Sequence, residues 1–357
     1  MHLANMESAT RTAPAREFGT DEYRLTAQAA ERARAAGLVN ADWYKPSVPR
    51  PLMKTLMQRS DAAALRDTVL WYALIAGSGL LAYFTLGSAW AVPAFLVYGA
   101  LYCGAADSRW HEAGHGTAFK TGWINDTLYQ VASFQVFRRP TVWRWSHARH
   151  HTDTLVVGRD PEIAAQVPTR WPVLIGNLVG LAHVAGEVRK LLLNFSGRLD
   201  AEEETFIPAS EWPKVIREAR VWVAVYACVF GLCLALRSVV PLLFVGLPSL
   251  YGAWLYHFFG LMQHAGLPEN VTDHRKNCRT VYMNPVLRFL YWNMNYHLEH
   301  HMFPLVPYHA LPRLHEAIRN ELPPPYPGTL AAYREIFSAL VRQTHDPGYS
   351  VARPLPR

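Results

Sequence analysis

The chain has four cysteines in 357 residues, Cys103, Cys228, Cys233 and Cys278, and no two stand in a Cys-x-x-Cys pair. That pattern excludes a disulfide scaffold, a cysteine-ligated zinc site and an iron–sulfur cluster. No Gly-x-Gly-x-x-Gly fingerprint and no fused haem-binding cytochrome segment occurs either, so redox equivalents are not expected from a built-in carrier. Met1 to Arg24 holds no apolar run of the length a secretory signal needs. The formal charge of +7 comes without an Arg/Lys-rich helix, a zinc finger or an RNA-binding signature, which excludes nucleic acid as a partner. The most informative absence is of charge itself: Thr68 to Ala106 is 39 residues without one formal charge.

A hydrocarbon core of ~30 Å needs ~20 apolar residues per helix, so this block predicts two spans, 68–86 and 90–107, with Gly87, Ser88 and Pro93 in the hairpin between them. A second block, Val221 to Met262, is broken by Arg237-Ser-Val-Val-Pro241 and predicts spans 221–237 and 241–262. Trp171 to Gly186 is uncharged but only 16 residues long, and reads as an interfacial or re-entrant helix. Two hairpins return the chain to its starting side. Only Arg237 of the 35 Lys and Arg residues then lies in an outer loop, which puts the rest on the cytoplasmic face. The expected fold is an all-α integral membrane protein: two transmembrane helical hairpins, four spans, and a cytoplasmic helical cap. Residues 1–60, with a helix from Asp21 to about Ala36 ended near Gly37, form a cytoplasmic or interfacial arm. Residues 61–320 form the membrane domain and 321–357 a C-terminal tail.

What the chain does have is histidine in ordered clusters. His297, His300 and His301 stand at i, i+3 and i+4, as do His147, His150 and His151; on a helix that spacing gathers three imidazoles on one face. His111 and His115 add a pair at i, i+4. Neutral imidazole suits Zn, Cu, Fe and Ni, but a catalytic zinc takes three protein ligands. Eight ligand-spaced histidines are too many for one zinc and suit two metals. His111-Glu112-Ala-Gly-His115 also matches the zincin motif, with Glu112 as general base. An intramembrane zinc metalloprotease is therefore an alternative, though it leaves both His-x-x-His-His clusters unexplained.

Three such clusters set among membrane hairpins resemble the membrane fatty acid desaturase/hydroxylase superfamily over residues 66–316. His111–His115 resembles its first histidine box, His147–His151 the second and His297–His301 the third. Gln263-His264 sits where the family supplies a further ligand. The resemblance implies a non-haem di-iron centre, two Fe2+ held by His111, His115, His147, His150, His151, His264, His297, His300 and His301. It implies O2 as co-substrate and a desaturase or hydroxylase reaction in the bacterial inner membrane, with the active site facing the cytoplasm. The electrons would come from a separate ferredoxin-type or Rieske-type donor, for which Arg138, Arg139, Arg144 and Arg149 offer a basic landing surface.

The segment from Gln263 through Met283-Asn-Pro285 to Tyr296 is similar to a bacterial branch that includes dihydrorhizobitoxine desaturase and oxygenase-like proteins of rhizopine catabolism. That similarity implies a small amino-acid ether as substrate; an acyl lipid is the alternative. Asp153, Asp160, Glu112, Asn295 and Glu299 are candidates to accept hydrogen bonds from ligand N–H groups. His257 and His183 are further possible ligands. His309 and His315 read as structural, His2, His274 and His345 as surface residues, and Trp110, Trp143, Trp145 and Trp292 as interface anchors.

Overall fold

The computed structural model describes residues 20–356; His2 and the first part of the N-terminal arm lie outside the described residues. Among the described residues every regular element is helical, and extended pairing is limited to isolated bridges, Thr280 with Tyr296 and Val281 with Tyr326.

Helix Asp61–Phe84 has 24 residues, which at ~1.5 Å per residue covers ~36 Å. Ser60 caps it by accepting from the Ala63 amide, and Asp61 faces the positive end of the helix dipole. Thr85 closes it ahead of Gly87, which turns at φ +82°. The second long helix is Trp212–Leu236, 25 residues, stopped by Arg237 in the left-handed conformation. Both are long and apolar enough to cross a membrane. Their outer side chains are left largely uncovered by protein: Phe84 is 78% exposed and Leu234 79%. This is an integral membrane protein.

The expected return segments are less regular. Residues 90–107 form helix Ala91–Gly99, a π turn at Ala100–Gly104, and then helix Ala106–Gly114. The π turn inserts its extra residue just before the first histidine box, a common position for such bulges. Residues 241–262 are divided among helices Val240–Val245, Pro248–Tyr251 and Ala253–His264. Gly246 and Gly252 end the first two, and Pro248 cannot donate to a continuing helix. The break at Gly252 has a packing reason, because a Cβ there would lie 2.1 Å from the Gly99 carbonyl oxygen. The two backbones touch, as small residues permit between membrane helices. None of these returns is a single helix long enough to span on its own.

The uncharged run from Trp171 becomes helix Trp171–Leu178, which meets helix Leu181–Phe195 at 84°. Gly180, at φ +66°, makes the corner; a Cβ there would stand 2.4 Å from the Ser249 carbonyl oxygen.

The helix expected over 21–36 is split into a 3-10 turn, Thr20–Tyr23, and helix Ala27–Ala35. Thr26 divides them because its hydroxyl caps the second by accepting from the Ala29 amide. The arm then reaches the domain: Trp43 stacks on His274 at 4.2 Å and the Tyr44 hydroxyl donates to Glu321. At the other terminus, helix Thr329–His345 places Tyr333 flat against Phe258 at 4.8 Å, with its hydroxyl donating to the Phe258 carbonyl.

Candidate metal centre

Four helices deliver the imidazoles. Ala106–Gly114 carries His111 and ends at His115; Pro140–Thr152, started by Pro140 at its first turn, carries His147, His150 and His151. His264 closes Ala253–His264, and the short helix His297–Met302 carries the last three. Buried Arg109 ties the first helix to the segment before the last one, donating to the carbonyls of Phe289 and Leu290. Its guanidinium lies among the rings of Trp71, Phe289 and Trp292.

The nine histidines fall into two groups. His111, His115, His147, His151 and His300 form one, and His150, His264, His297 and His301 the other, with ligand nitrogens within 4.8 Å of one another in each. In the first group His111 and His300 meet Nε2 to Nε2 at 2.8 Å, His115 and His147 at 3.1 Å, and His151 and His300 at 3.2 Å. In the second His297 lies 2.9 Å from both His264 and His301.

Hydrogen bonds behind the rings decide which nitrogen carries the proton. His264 Nδ1 lies 2.7 Å from the Asn277 carbonyl, which can only accept, so Nδ1 donates and Nε2 is a bare lone pair. The Thr154 hydroxyl donates to the His150 carbonyl and so accepts from His301 Nδ1, leaving His301 Nε2 bare as well. His147 and His150 set Nδ1 against Glu162 at 3.0 Å and Asp160 at 2.9 Å, with the same result. Bare lone pairs that converge in a buried space repel one another unless a cation lies between them. With a metal–imidazole bond of ~2.1 Å, ligands at right angles stand ~3 Å apart, which is the spacing observed. The residues present fit two metal ions, one per group.

Electrostatics agree for seven of the rings. Burial first, then the neighbouring imidazoles, push His111, His115, His151, His264, His297, His300 and His301 well below the usual histidine range, so they are neutral at pH 7. His150 is raised instead, because Asp160 outweighs its burial. Burial also opposes the charge on Glu162, but His147 prevails and holds the carboxyl at about 2.

Several expected roles change. Of the carboxylates and amide expected behind the ligands, only Asp160 bonds one. Asp153 accepts from Arg159, Asn295 donates to the Val281 carbonyl, and Glu299 accepts from His315 and Thr280. Glu112 accepts from Thr117 and the Tyr308 amide rather than from a ligand histidine. Glu162, Thr154 and the Asn277 carbonyl take the expected positions instead. Thr154 and Glu162 lie in loops and Asn277 ends the short helix His274–Asn277; only their nearness in sequence to the second box and to His264 hints at them.

His274, expected at the surface, is buried under Trp43 and lies near Cys278 and His301. Trp110 and Trp292 are interior residues rather than interface anchors, the first against His147 at 5.3 Å and the second flat on Tyr308 at 4.2 Å. Arg138 and Arg139 are likewise no landing surface. Arg138 pairs with Asp107, and Arg139 pairs with Glu187 and Glu203. Arg144 and Arg149 remain accessible. His315 is structural as expected, bonded to Glu299 and Tyr282, and His345 is exposed.

A cavity of about 250 Å³ opens against the centre, lined by His111, His147, His150 and His264. His183 and His257 line it too, but belong to neither nitrogen group.

The family model described as fatty acid desaturase matches residues 87–331, a stretch containing all nine histidines. No curated protein matches the chain.

Proposed function

The chain belongs to the fatty acid desaturase family, and from that premise we propose that it is a di-iron, O2-dependent desaturase. The observation that carries this reading is the convergence of nine imidazoles in two buried groups, four of them with Nδ1 turned to an acceptor and Nε2 inward, which calls for two cations on nitrogen ligands. When bound, two iron ions would supply O2 activation for hydrogen abstraction from unactivated C–H bonds. Overall two neighbouring C–H bonds break, a C=C bond forms, and O2 is reduced to two waters. Two of the four electrons come from the substrate. The other two come from a separate ferredoxin-type or Rieske-type donor, with Arg144 and Arg149 as the accessible cations beside the second box.

The chain's own residues orient and insulate. Glu162, Asp160, Thr154 and the Asn277 carbonyl hold four rings with Nε2 inward. Trp110, packed against His111 and His147, helps exclude water from the reacting space. The remaining topology is proposed as four spans in the bacterial inner membrane with the centre facing the cytoplasm. The membrane domain covers 61–320 between the two terminal segments, and the Lys/Arg bias supports this orientation.

For the substrate, a small polar molecule of the amino-acid ether type, such as dihydrorhizobitoxine, is favoured. An acyl tail in one leaflet extends across about half of the ~30 Å hydrocarbon core and would need a long apolar tunnel. The cavity wall instead bears Asp107, Arg138, Glu162 and Glu269. The family's description favours the second reading, an acyl-lipid desaturase or hydroxylase. Iron-loaded protein, a reductase–ferredoxin couple and O2 distinguish them. A dehydrogenated amino-acid ether supports the first reading. New double bonds in membrane acyl chains alone overturn it, and a hydroxylated product moves the chain to the hydroxylases.

A further inference from the structure

The cavity that touches the metal centre is also lined by Arg138, Tyr256 and His257, none of which is needed to hold a metal. Arg138 is set in an aromatic cage, its guanidinium carbon 4.4 Å from the Trp110 ring, 4.6 Å from Trp143 and 5.5 Å from Tyr256. Asp107 takes Nη1, while Nε is buried without a partner. The Tyr256 hydroxyl and His257 Nε2 are also buried without partners. With His183 Nε2 and Trp110 Nε1, five residues lining this cavity carry a buried polar atom without a partner, a pattern that proteins otherwise avoid. A guanidinium has five N–H donors in a fixed fork, so an arginine paired through one nitrogen can still receive a second carboxylate along its other edge.

The placement relative to the centre also fits. Helix Ala253–His264 turns Tyr256, Gly260 and His264 to the cavity at i, i+4 and i+8, so one helix face leads from the open hydroxyl to a metal-group histidine. At ~1.5 Å per residue that is ~12 Å. Across the cavity a single residue, Trp110, links Arg138 to His147, whose ring centroid is 5.3 Å from that of Trp110. An anion held by Arg138 would therefore present carbons several bonds away to the centre.

We propose that Arg138, assisted by Tyr256 and His257, is a carboxylate-anchoring, specificity-determining subsite of this cavity. It selects short substrates that carry a free carboxylate and holds them with an unactivated C–H pair towards the nitrogen groups. This rests on the desaturase reading above. The carboxylate could belong to an amino acid or to a short fatty acid, and the probes separate the two.

The test is binding to the iron-loaded full chain in detergent, followed by calorimetry, with O-methyl-L-homoserine, octanoate and the methyl ester of each. The subsite predicts at least one acid binding roughly tenfold or more tightly than its ester. Preference for the homoserine ether assigns an amino-acid substrate, and preference for octanoate a fatty acid. Arg138→Gln should bring acid and ester within about twofold of each other, and Arg138→Lys should restore part of the difference, with iron content unchanged. Because Arg138→Gln leaves Asp107 buried without its partner, Tyr256→Phe provides a milder variant. It should raise KM for the acid several-fold at unchanged kcat and leave ester binding unaltered. Acid and ester binding equally to the wild type, or equal discrimination in every variant, overturns the subsite. Tight acid binding without any dehydrogenated product would leave the subsite standing and sink the desaturase reading. Acyl-lipid desaturation without acid discrimination would do the reverse.

Discussion

Asp160→Asn isolates the support of a single ligand. Asp160 Oδ2 accepts from His150 Nδ1 at 2.9 Å and from the Leu155 amide at 2.8 Å, while Oδ1 accepts from the Glu162 amide at 2.8 Å. An amide of the same shape cannot serve all three donors. If its oxygen keeps His150 and Leu155, its NH2 faces the Glu162 N–H; if it flips, His150 Nδ1–H and the Leu155 N–H lose their acceptor. Losing one charge-assisted bond in a buried site costs about 1.5–3 kcal/mol. At 1.4 kcal/mol per tenfold, that is a roughly 10- to 100-fold loss of metal affinity, the range usual for such supporting residues. His150 belongs to the four-histidine group, so one of two metals should leave first. Iron retained under graded chelator competition reads this directly, with circular dichroism as the control for folding. Asp126→Asn, at an exposed pair with Arg144, is the comparison and should stay near wild type. An Asp160→Asn protein that keeps all its iron at the wild-type chelator midpoint would refute the argument.

Three more outcomes are expected. Thr154→Val removes the acceptor of His301 Nδ1 and the donor to the His150 carbonyl; the metal-free protein should lose about 1–3 kcal/mol, measured by thermal unfolding in detergent. Gly252→Ala places a methyl group 2.1 Å from the Gly99 oxygen and should cost about 1–3 kcal/mol or more, read in the same way, whereas Gly77→Ala, with open space around it, should cost far less. The metal-free protein should weaken on acidification. Seven of its buried histidines titrate well below the unfolded value of ~6.5 and outnumber the raised His150, so the unfolded chain binds more protons once pH falls through that value. Stability is therefore full above about pH 6.5 and drops below it; an unfolding temperature unchanged between pH 7.5 and 5.5 contradicts this.

The histidine boxes were legible in the sequence because i, i+3, i+4 spacing is itself a statement about one helix face, and the apolar blocks because a span has a required length. Partners were less legible. The sequence presents Arg138 and Arg139 as charge, but Asp107, Glu187 and Glu203, which neutralise them, lie 31, 48 and 64 positions away. The surface reading of His274 missed Trp43, brought over it by the N-terminal arm. Glu162 was passed over because a loop has no periodicity to mark a direction, and the Asn277 carbonyl because backbone acceptors leave no trace in composition. The return segments departed from continuous helices where Pro248 has no amide hydrogen to donate and where Gly252 lies against the Gly99 backbone.

Nine histidines that hold two iron ions for O2-dependent desaturation should show both the metal and the product. The most direct measurement is metal quantification on the purified full chain, together with mass spectrometry of products from a host expressing it, against His300→Ala. Two irons per wild-type chain, a product two hydrogens lighter than its substrate, and loss of both metal and product in His300→Ala are expected. A single zinc per chain with no iron, or an unchanged product profile in His300→Ala, would contradict this.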